Sequence, residues 1–360
     1  PNCKFPRVLR STLGYDREVF WGIRGTAELL YSKTAEDIYY KNMNYKQTGT
    51  SPLDGRPVYG RVTTKVGNVY MVANSSIGRE LSETIQLNKS FRNMTFNVNY
   101  IHQDAKSAAD AGSSTASSGW NFQTTRGDIF TPELAPTYFQ VKNRFNVSAT
   151  YDLTTGPISH SFGLFYAAQA GNPYSLLIDG NPNGDASFSN DILSVPSGGA
   201  SGLILCPYNN GSSAAPKAGA PCGVAGISPL DSAQFANFLS SVGLDPNAAG
   251  ILQRNNLQQP WQRRLDFHYE LGLPAIRTTR ILVTADVMNL LNLFDKNWGV
   301  EKYVNFATYT PVRYQGIDPD TKKPVYREEF NGALNPGTQF TGTTSTASRW
   351  QARLGLRVNF

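Results

Sequence analysis

The sequence predicts an all-β chain whose antiparallel strands form part of a transmembrane β-barrel. Three observations carry that prediction. Apolar and polar side chains alternate with a period of two in windows of about ten residues, the length of a tilted strand crossing a bilayer. Short turns and long polar segments follow one another in strict alternation between those windows. Aromatic residues (18 Tyr, 19 Phe and 5 Trp) gather at the window ends, as at Phe20, Trp21, Tyr39, Tyr40, Trp261, Trp350 and Phe360. A soluble β-sandwich also alternates, but its strands are shorter and its loops do not segregate by length.

The windows follow in chain order. Leu9, Ser11, Leu13 and Tyr15 oppose Arg10, Thr12, Gly14 and Asp16, and then Ile23, Gly25, Ala27, Leu29 and Tyr31 oppose Arg24, Thr26, Glu28 and Ser32. Leu81, Ile85 and Leu87 form the next oily set, and Met94, Phe96, Val98 and Tyr100 the one after it, with a tight turn expected at Lys89 and Ser90. Val141, Phe145, Val147, Ala149 and Tyr151 precede Phe162, Leu164, Tyr166 and Ala168 across the turn TTGPIS. Trp261, Leu265, Phe267, Tyr269 and Leu271 are followed by Ile281, Val283, Ala285, Val287 and Leu291, and the chain closes on Trp350, Ala352, Leu354, Leu356, Val358 and Phe360. That makes about nine strands. Short turns fall near 19–22, 89–90, 153–158 and 273–279, and long polar segments span 35–76, 102–138, 170–258 and 294–348. The polar faces carry Arg144, Arg264, Asp266, Glu270, Asp286, Arg353 and Arg357, charges that are costly against lipid and at ease beside water.

Composition excludes several classes. No run of about 18 apolar residues exists, so no membrane-spanning helix is expected, and a mean hydropathy of −0.35 suits strands that are only half apolar. The net charge of +6 is scattered without a basic stripe, which argues against a nucleic-acid partner. With only His102, His160 and His268, and no GxSxG or HExxH, no nucleophile–base pair is placed, so the chain is read as not an enzyme. His268 among Arg264, Asp266 and Glu270 reads as charge lining a wet lumen.

A last strand that ends on an aromatic resembles the C-terminal signal read by the outer-membrane assembly machinery, which would make Phe360 an assembly signal. DVMNLLNLFDKNWG (Asp286 to Gly299) looks like the penultimate strand of TonB-dependent receptors, particularly the Oar-like group with a carboxypeptidase-regulatory-like N-terminal domain. RVLRSTLGYDREV, NPNGDASFSNDILSVP and NNLQQPWQRRLDFHYEL are similar to segments of the same group. The resemblance implies a 22-stranded barrel with an N-terminal plug in the bacterial outer membrane. About nine strands are not 22, so residues 1–360 are read as its C-terminal part, with the plug and the first barrel strands absent. The implied partners are outer-membrane lipid, the TonB complex through the missing N-terminal part, the barrel-assembly machinery and an unidentified extracellular ligand held by the four long segments. A passive porin and a surface adhesin or secretion conduit are the alternatives.

Three local patterns stand out. DGNPNGDASFSND places Asp179, Asn181, Asn183 and Asp185 at the spacing of a calcium loop, with Asp191 beside the twelfth position, where Asn190 replaces the usual bidentate Glu. No cofactor is expected beyond that possible calcium, and a turn-rich loop without an ion is the other reading. Cys206 and Cys222 flank a Gly/Ala/Ser/Pro-rich stretch and are expected to bridge in an oxidising compartment, with two free thiols as the alternative. Phe235, Phe238 and Leu239, at helical spacing after Asp231, predict a short helix within the third long segment.

Overall fold

The computed structural model describes residues 3–110, 113–209, 214–274 and 279–359; Phe360 lies outside them. The chain is all-β, and among the described residues no helix is long and apolar enough to cross a membrane. Its main feature is a large antiparallel sheet along which nine strands follow one another in sequence order. We number these β1 (Arg7–Glu18), β2 (Arg24–Asn42), β3 (Arg79–Phe91), β4 (Met94–Ser107), β5 (Asn143–Thr155), β6 (Ile158–Gln169), β7 (Gln262–Gly272), β8 (Arg280–Met288) and β9 (Gln351–Asn359). Each alternating window of the sequence falls on one of them. β1 and β9 are the two ends of the path, and no ladder joins them among the described residues.

Tight turns close one end of the sheet at 20–23, 92–93 and 156–157, and the turn expected at 273–279 includes residues 275–278, which lie outside the described ones. Between β1 and β2, Trp21 and Gly22 both take positive φ and Ile23 N donates to Phe20 O at 2.9 Å, a turn whose twist matches the flanking strands. Between β5 and β6, Thr155 pairs with Ile158 around Gly156–Pro157, and Gly156 supplies the positive φ that the first central position requires. The β3–β4 turn differs from the sequence expectation. Lys89 and Ser90 remain in the ladder, opposite Phe96 and Thr95, and the chain reverses at Arg92–Asn93 instead. Polar side chains at 88–90 mimic a turn in sequence, whereas the ladder runs on until Phe91 meets Met94.

The register sorts the oily residues onto one face and tilts the band they form. One row of cross-strand neighbours runs Tyr15, Ala27, Ile85, Tyr100, Phe145, Ala168, Arg263. In β1 this row lies at the turn-side limit of the oily set 9–15, three residues from its middle, and in β7 it lies at Arg263, three residues to the loop side of the middle of the set 261–271. Relative to the middle of each set, it moves by about six residues over six strand-to-strand steps. That is roughly 20 Å along the strands for roughly 29 Å across them, so the band runs at about 35° to the rows.

The opposite end of the sheet holds the long connections, and these fold. Pro173–Asp179 pairs in parallel with Thr308–Ile317, which pairs antiparallel with Pro324–Glu328, which in turn pairs in parallel with Ile204–Cys206. Segments 170–258 and 294–348 therefore build one mixed sheet together. Its core holds Tyr174, Leu176, Ile178, Leu205, Phe235, Phe238, Val312 and Tyr326, and the largest buried cluster of the protein belongs to these segments, joined by Leu53 from the first connection. The expected helix spans Ala233–Ser241, with Asp231 Oδ1 accepting from Ala233 N at 2.9 Å, and it buries Phe235, Phe238 and Leu239 completely. Phe235 meets Tyr326 edge to face at 5.8 Å between ring centroids, and the Tyr326 hydroxyl donates to Ser194 O at 2.9 Å. What reads in sequence as polar loop holds the largest buried apolar cluster among the described residues.

Candidate functional site

A cleft of about 470 Å³ opens where three of the four long segments meet. The tip of a hairpin formed by Tyr45–Thr50 and Pro57–Arg61 supplies Asp54 and Arg56, residues 123–133 supply Thr125, Arg126 and Glu133, and the third segment supplies Ile251 and Arg254. Backbone bonds hold these walls together: Tyr59 N donates to Asn183 O at 2.7 Å, Thr125 N to Asn190 O at 2.8 Å and Ile192 N to Thr125 O at 3.2 Å. Gln123 joins the 123–133 segment to β2 by accepting from Tyr40 N at 3.0 Å and donating to Tyr40 O at 3.2 Å. A side-chain amide thus takes the place of a strand partner.

Arg56 is the fastening of one wall. Its Nη2 lies 2.7 Å from Asp54 Oδ2 and its Nη1 2.9 Å from Asp191 Oδ1, with none of the three side chains more than 2% exposed. The same guanidinium donates to Ile192 O at 2.8 Å. One cation between two carboxylates leaves the buried trio a negative charge in excess, and Asp191 Oδ2 has no hydrogen-bond partner. Burial pushes the Asp191 carboxyl up, to about 8, against the pull of Arg56. Burial also raises Asp185, although Asn190 and the Ser187 backbone N–H donate to it. The cluster is therefore poised to hold a proton at neutral pH.

Arg254 is held on the third wall by Ser107 O and by Glu133 O at 3.4 Å, with Asp110 Oδ2 at 3.7 Å. Asn255 fixes the same corner, donating to Asp110 Oδ2 and Pro136 O at 2.8 Å each. Arg126 is more open, reaching Ile251 O and Glu133 Oε1 at 3.3 Å each. The cleft presents guanidinium, carboxylate and hydroxyl groups on hydrogen-bonded walls, an arrangement suited to gripping a polar ligand.

The calcium-like residues are drawn apart into other bonds. Asp179 is ion-paired with Arg313, which also bonds Glu329, while Asp191 belongs to Arg56. Asn181 and Asn183 both accept from the Asp185 N–H, at 3.1 and 3.0 Å. Among the described residues no group of three or more His, Cys, Asp or Glu side chains converges on a point that would hold a metal ion. Cys206 and Cys222 are joined, with Cα atoms 5.7 Å apart, and the bridge packs against buried Val325. Cys3 is exposed and free.

On the polar face of the large sheet, His268 Nδ1 lies 2.6 Å from Asp286 Oδ1, and Arg353 bonds Asp286 Oδ2 through Nε at 3.1 Å and Nη2 at 3.0 Å. Arg264 pairs with Asp266 at 2.7 Å. These groups line a second hollow of about 380 Å³ together with Ser148, Thr150 and Gly163. His268, Asp286 and Arg353 thus pair across three neighbouring strands, whereas Arg264 and Asp266 pair along one. Sequence reasoning missed Asp54, Arg56 and Arg254, whose charges sit within turn-rich stretches and look solvated there. The one signal was Asp191, singled out for a different reason.

No protein-family model matches the chain, and no curated protein matches it.

Proposed function

We propose that the chain is the C-terminal part of an outer-membrane β-barrel receptor of the TonB-dependent type, which captures a ligand with its folded loops and passes it inward under energy supplied through the plug side. The carrying observation is the oblique oily band. Strands of a closed barrel tilt by 35–45° to its axis, so a lipid band of constant height must cross the strand-to-strand rows at that angle, and the slope of about 35° falls at the lower end of that range. The charged opposite face then meets water in the lumen, and the two open sheet edges at β1 and β9 are the places where further strands would pair. In this reading the tight turns are periplasmic, the folded segments are extracellular, and the cleft at Arg56, Arg126 and Arg254 is where capture begins. Calcium in the 179–191 loop, one of the two sequence readings of that loop, has Arg56 and Arg313 as competitors for its carboxylates.

The experiment is a face comparison in the full-length protein. Leu265→Arg or Leu356→Arg should cost about 2–4 kcal/mol of folding stability in bilayers if near the midplane, whereas Gln262→Arg or Gln351→Arg should cost far less. Equal costs on the two faces would end the barrel reading. Deleting Phe360 should lower the amount inserted in the outer membrane while leaving ligand capture per inserted molecule unchanged.

A further inference from the structure

The oily face of the large sheet ends, on its loop side, in three cations placed shoulder to shoulder. Lys33 of β2 is the register partner of Arg79 of β3, and Arg79 is the register partner of Lys106 of β4. Lys33 follows Tyr31 by one step on the same face and Arg79 precedes Leu81, so the row sits immediately beyond the oily set of both strands. Adjacent strands are about 4.8 Å apart, so the three Cα atoms lie within roughly 10 Å.

Like charges directly opposite one another in a sheet destabilise it, and little on this face offsets them. Arg79 has no ion-pair partner among the described residues. Lys33 Nζ donates to the Ser76 carbonyl at 2.8 Å, which leaves its charge unpaired. Lys106 reaches Asp104 at 3.4 Å, with both side chains substantially exposed. Glu36, further along β2, is occupied by Lys4 and Arg7. Glu83 lies two rows below, opposite Leu29 and His102.

We propose that Lys33, Arg79 and Lys106 bind the phosphate groups of a lipid headgroup in the outer leaflet. This rests on the barrel reading, which puts the oily band in hydrocarbon and its loop-side margin at headgroup level. A multivalent anion shared by three neighbouring cations relieves their mutual repulsion and gains charge-assisted hydrogen bonds from each. An acyl chain attached to that anion would lie along Tyr31, Leu81 and the oily residues below. A lipid fits both parts of the surface, and a soluble phosphoester fits only one.

The test uses the full-length protein in detergent micelles, titrated with lipid A carrying two phosphates, with the same lipid stripped of phosphate, and with inorganic phosphate, counting retained lipid by native mass spectrometry. The wild type should retain the phosphorylated lipid selectively. Each surface cation contributes roughly five-fold to such binding, so Lys33→Gln, Arg79→Gln and Lys106→Gln combined should weaken it on the order of 100-fold. Arg92→Gln, at the turn end of the sheet, should leave it unchanged, and circular dichroism checks that each variant is folded. Equal retention by the triple variant and the wild type, or equal retention of the two lipids, would overturn the proposal. Displacement by millimolar inorganic phosphate would overturn the choice of a lipid as its source. Reconstitution separates the two layers of inference. Protein that fails to enter bilayers refutes the barrel reading, whereas protein that enters them with unselective lipid retention refutes the phosphate row alone.

Discussion

Replacing Arg56 by Met should unfasten the hairpin that walls the cleft. The guanidinium bonds Asp54 through Nε at 2.9 Å, Asp191 through Nη1 at 2.9 Å and Ile192 O through Nη2 at 2.8 Å, all out of contact with water. Met keeps much of the apolar stem but strands two buried carboxyls and a carbonyl. Removing one partner of a buried ion pair costs about 3–5 kcal/mol, since the other charge stays buried without compensation. The cost should be local, because the side-chain hydrogen bonds of Arg56 go to the hairpin tip and to residues 191–192. Hydrogen exchange read by mass spectrometry is the assay. The amides of Ser51, Tyr59 and Ile192, which donate to Arg56 O, Asn183 O and Thr125 O, should open roughly 100- to 4,000-fold more often, since each 1.4 kcal/mol is a factor of ten. Amides of Leu164 and Phe267, in the central ladder of the large sheet, should be unaffected. Unchanged exchange at residues 51, 59 and 192 would show that Arg56 does not hold the hairpin, and an increase throughout the sheet would show that the loop module and sheet are one cooperative unit.

Three further outcomes follow from the same geometry. The Asp191 carboxyl is held at about 8 when folded and belongs near 4 when unfolded, so the folded state keeps a proton that the unfolded state releases. The stability of the loop module should then be full below pH 4 and fall, by a few kcal/mol at most, as pH rises toward 8; Asp191→Asn should flatten that slope in exchange rates corrected for intrinsic pH dependence. Phe235→Ala leaves a cavity against Tyr326 and should cost about 3–5 kcal/mol in the loop module, measured by denaturant-dependent proteolysis within 170–258. Peptide mapping without reductant should recover Cys206 linked to Cys222, and finding both thiols free in protein taken from outer membranes would remove the bridge from the account.

The sheet was legible because each of its strands carries an oily face and a polar face, which the barrel reading assigns to lipid and water. Leu354 and Leu356 oppose Arg353 and Arg357, and that contrast forces a period of two that survives in sequence. Pro173–Asp179 separates nothing, since all seven of its residues are buried, and so it carries no alternation to detect. Its parallel partner, Thr308–Ile317, begins more than 120 residues later in the chain. The run SLLI and the short ILC were the available signals, too brief to distinguish a covered strand from an apolar turn. The cleft was less legible still. Asp54, Arg56 and Asp191 are ordinary loop residues until the fold removes water from all three. Charge alone does not say which side chains will be buried.

The position of the core bears on how the proposed capture can be altered. Residues 170–261, between β6 and β7, are far longer than ordinary connections, and a segment of that length keeps a fixed shape only by burying apolar surface of its own. It does so jointly with 289–350, through the mixed sheet that Pro173–Asp179 and Thr308–Ile317 share. The third wall of the cleft, with Ile251 and Arg254, is carried on that module, whereas the Arg56 hairpin and residues 123–133 are tied to it at Asn183, Asn190 and Asp191. Substitutions in the core around Phe238 should therefore move one wall against the other two and change the shape of the cleft without touching its lining. Substitutions on the oily face of β7–β9 should change the amount of folded protein and leave that shape alone. In the barrel reading, recognition and insertion are separable because they rest on two different apolar surfaces, the buried core of the loop module and the exposed oily face of the sheet.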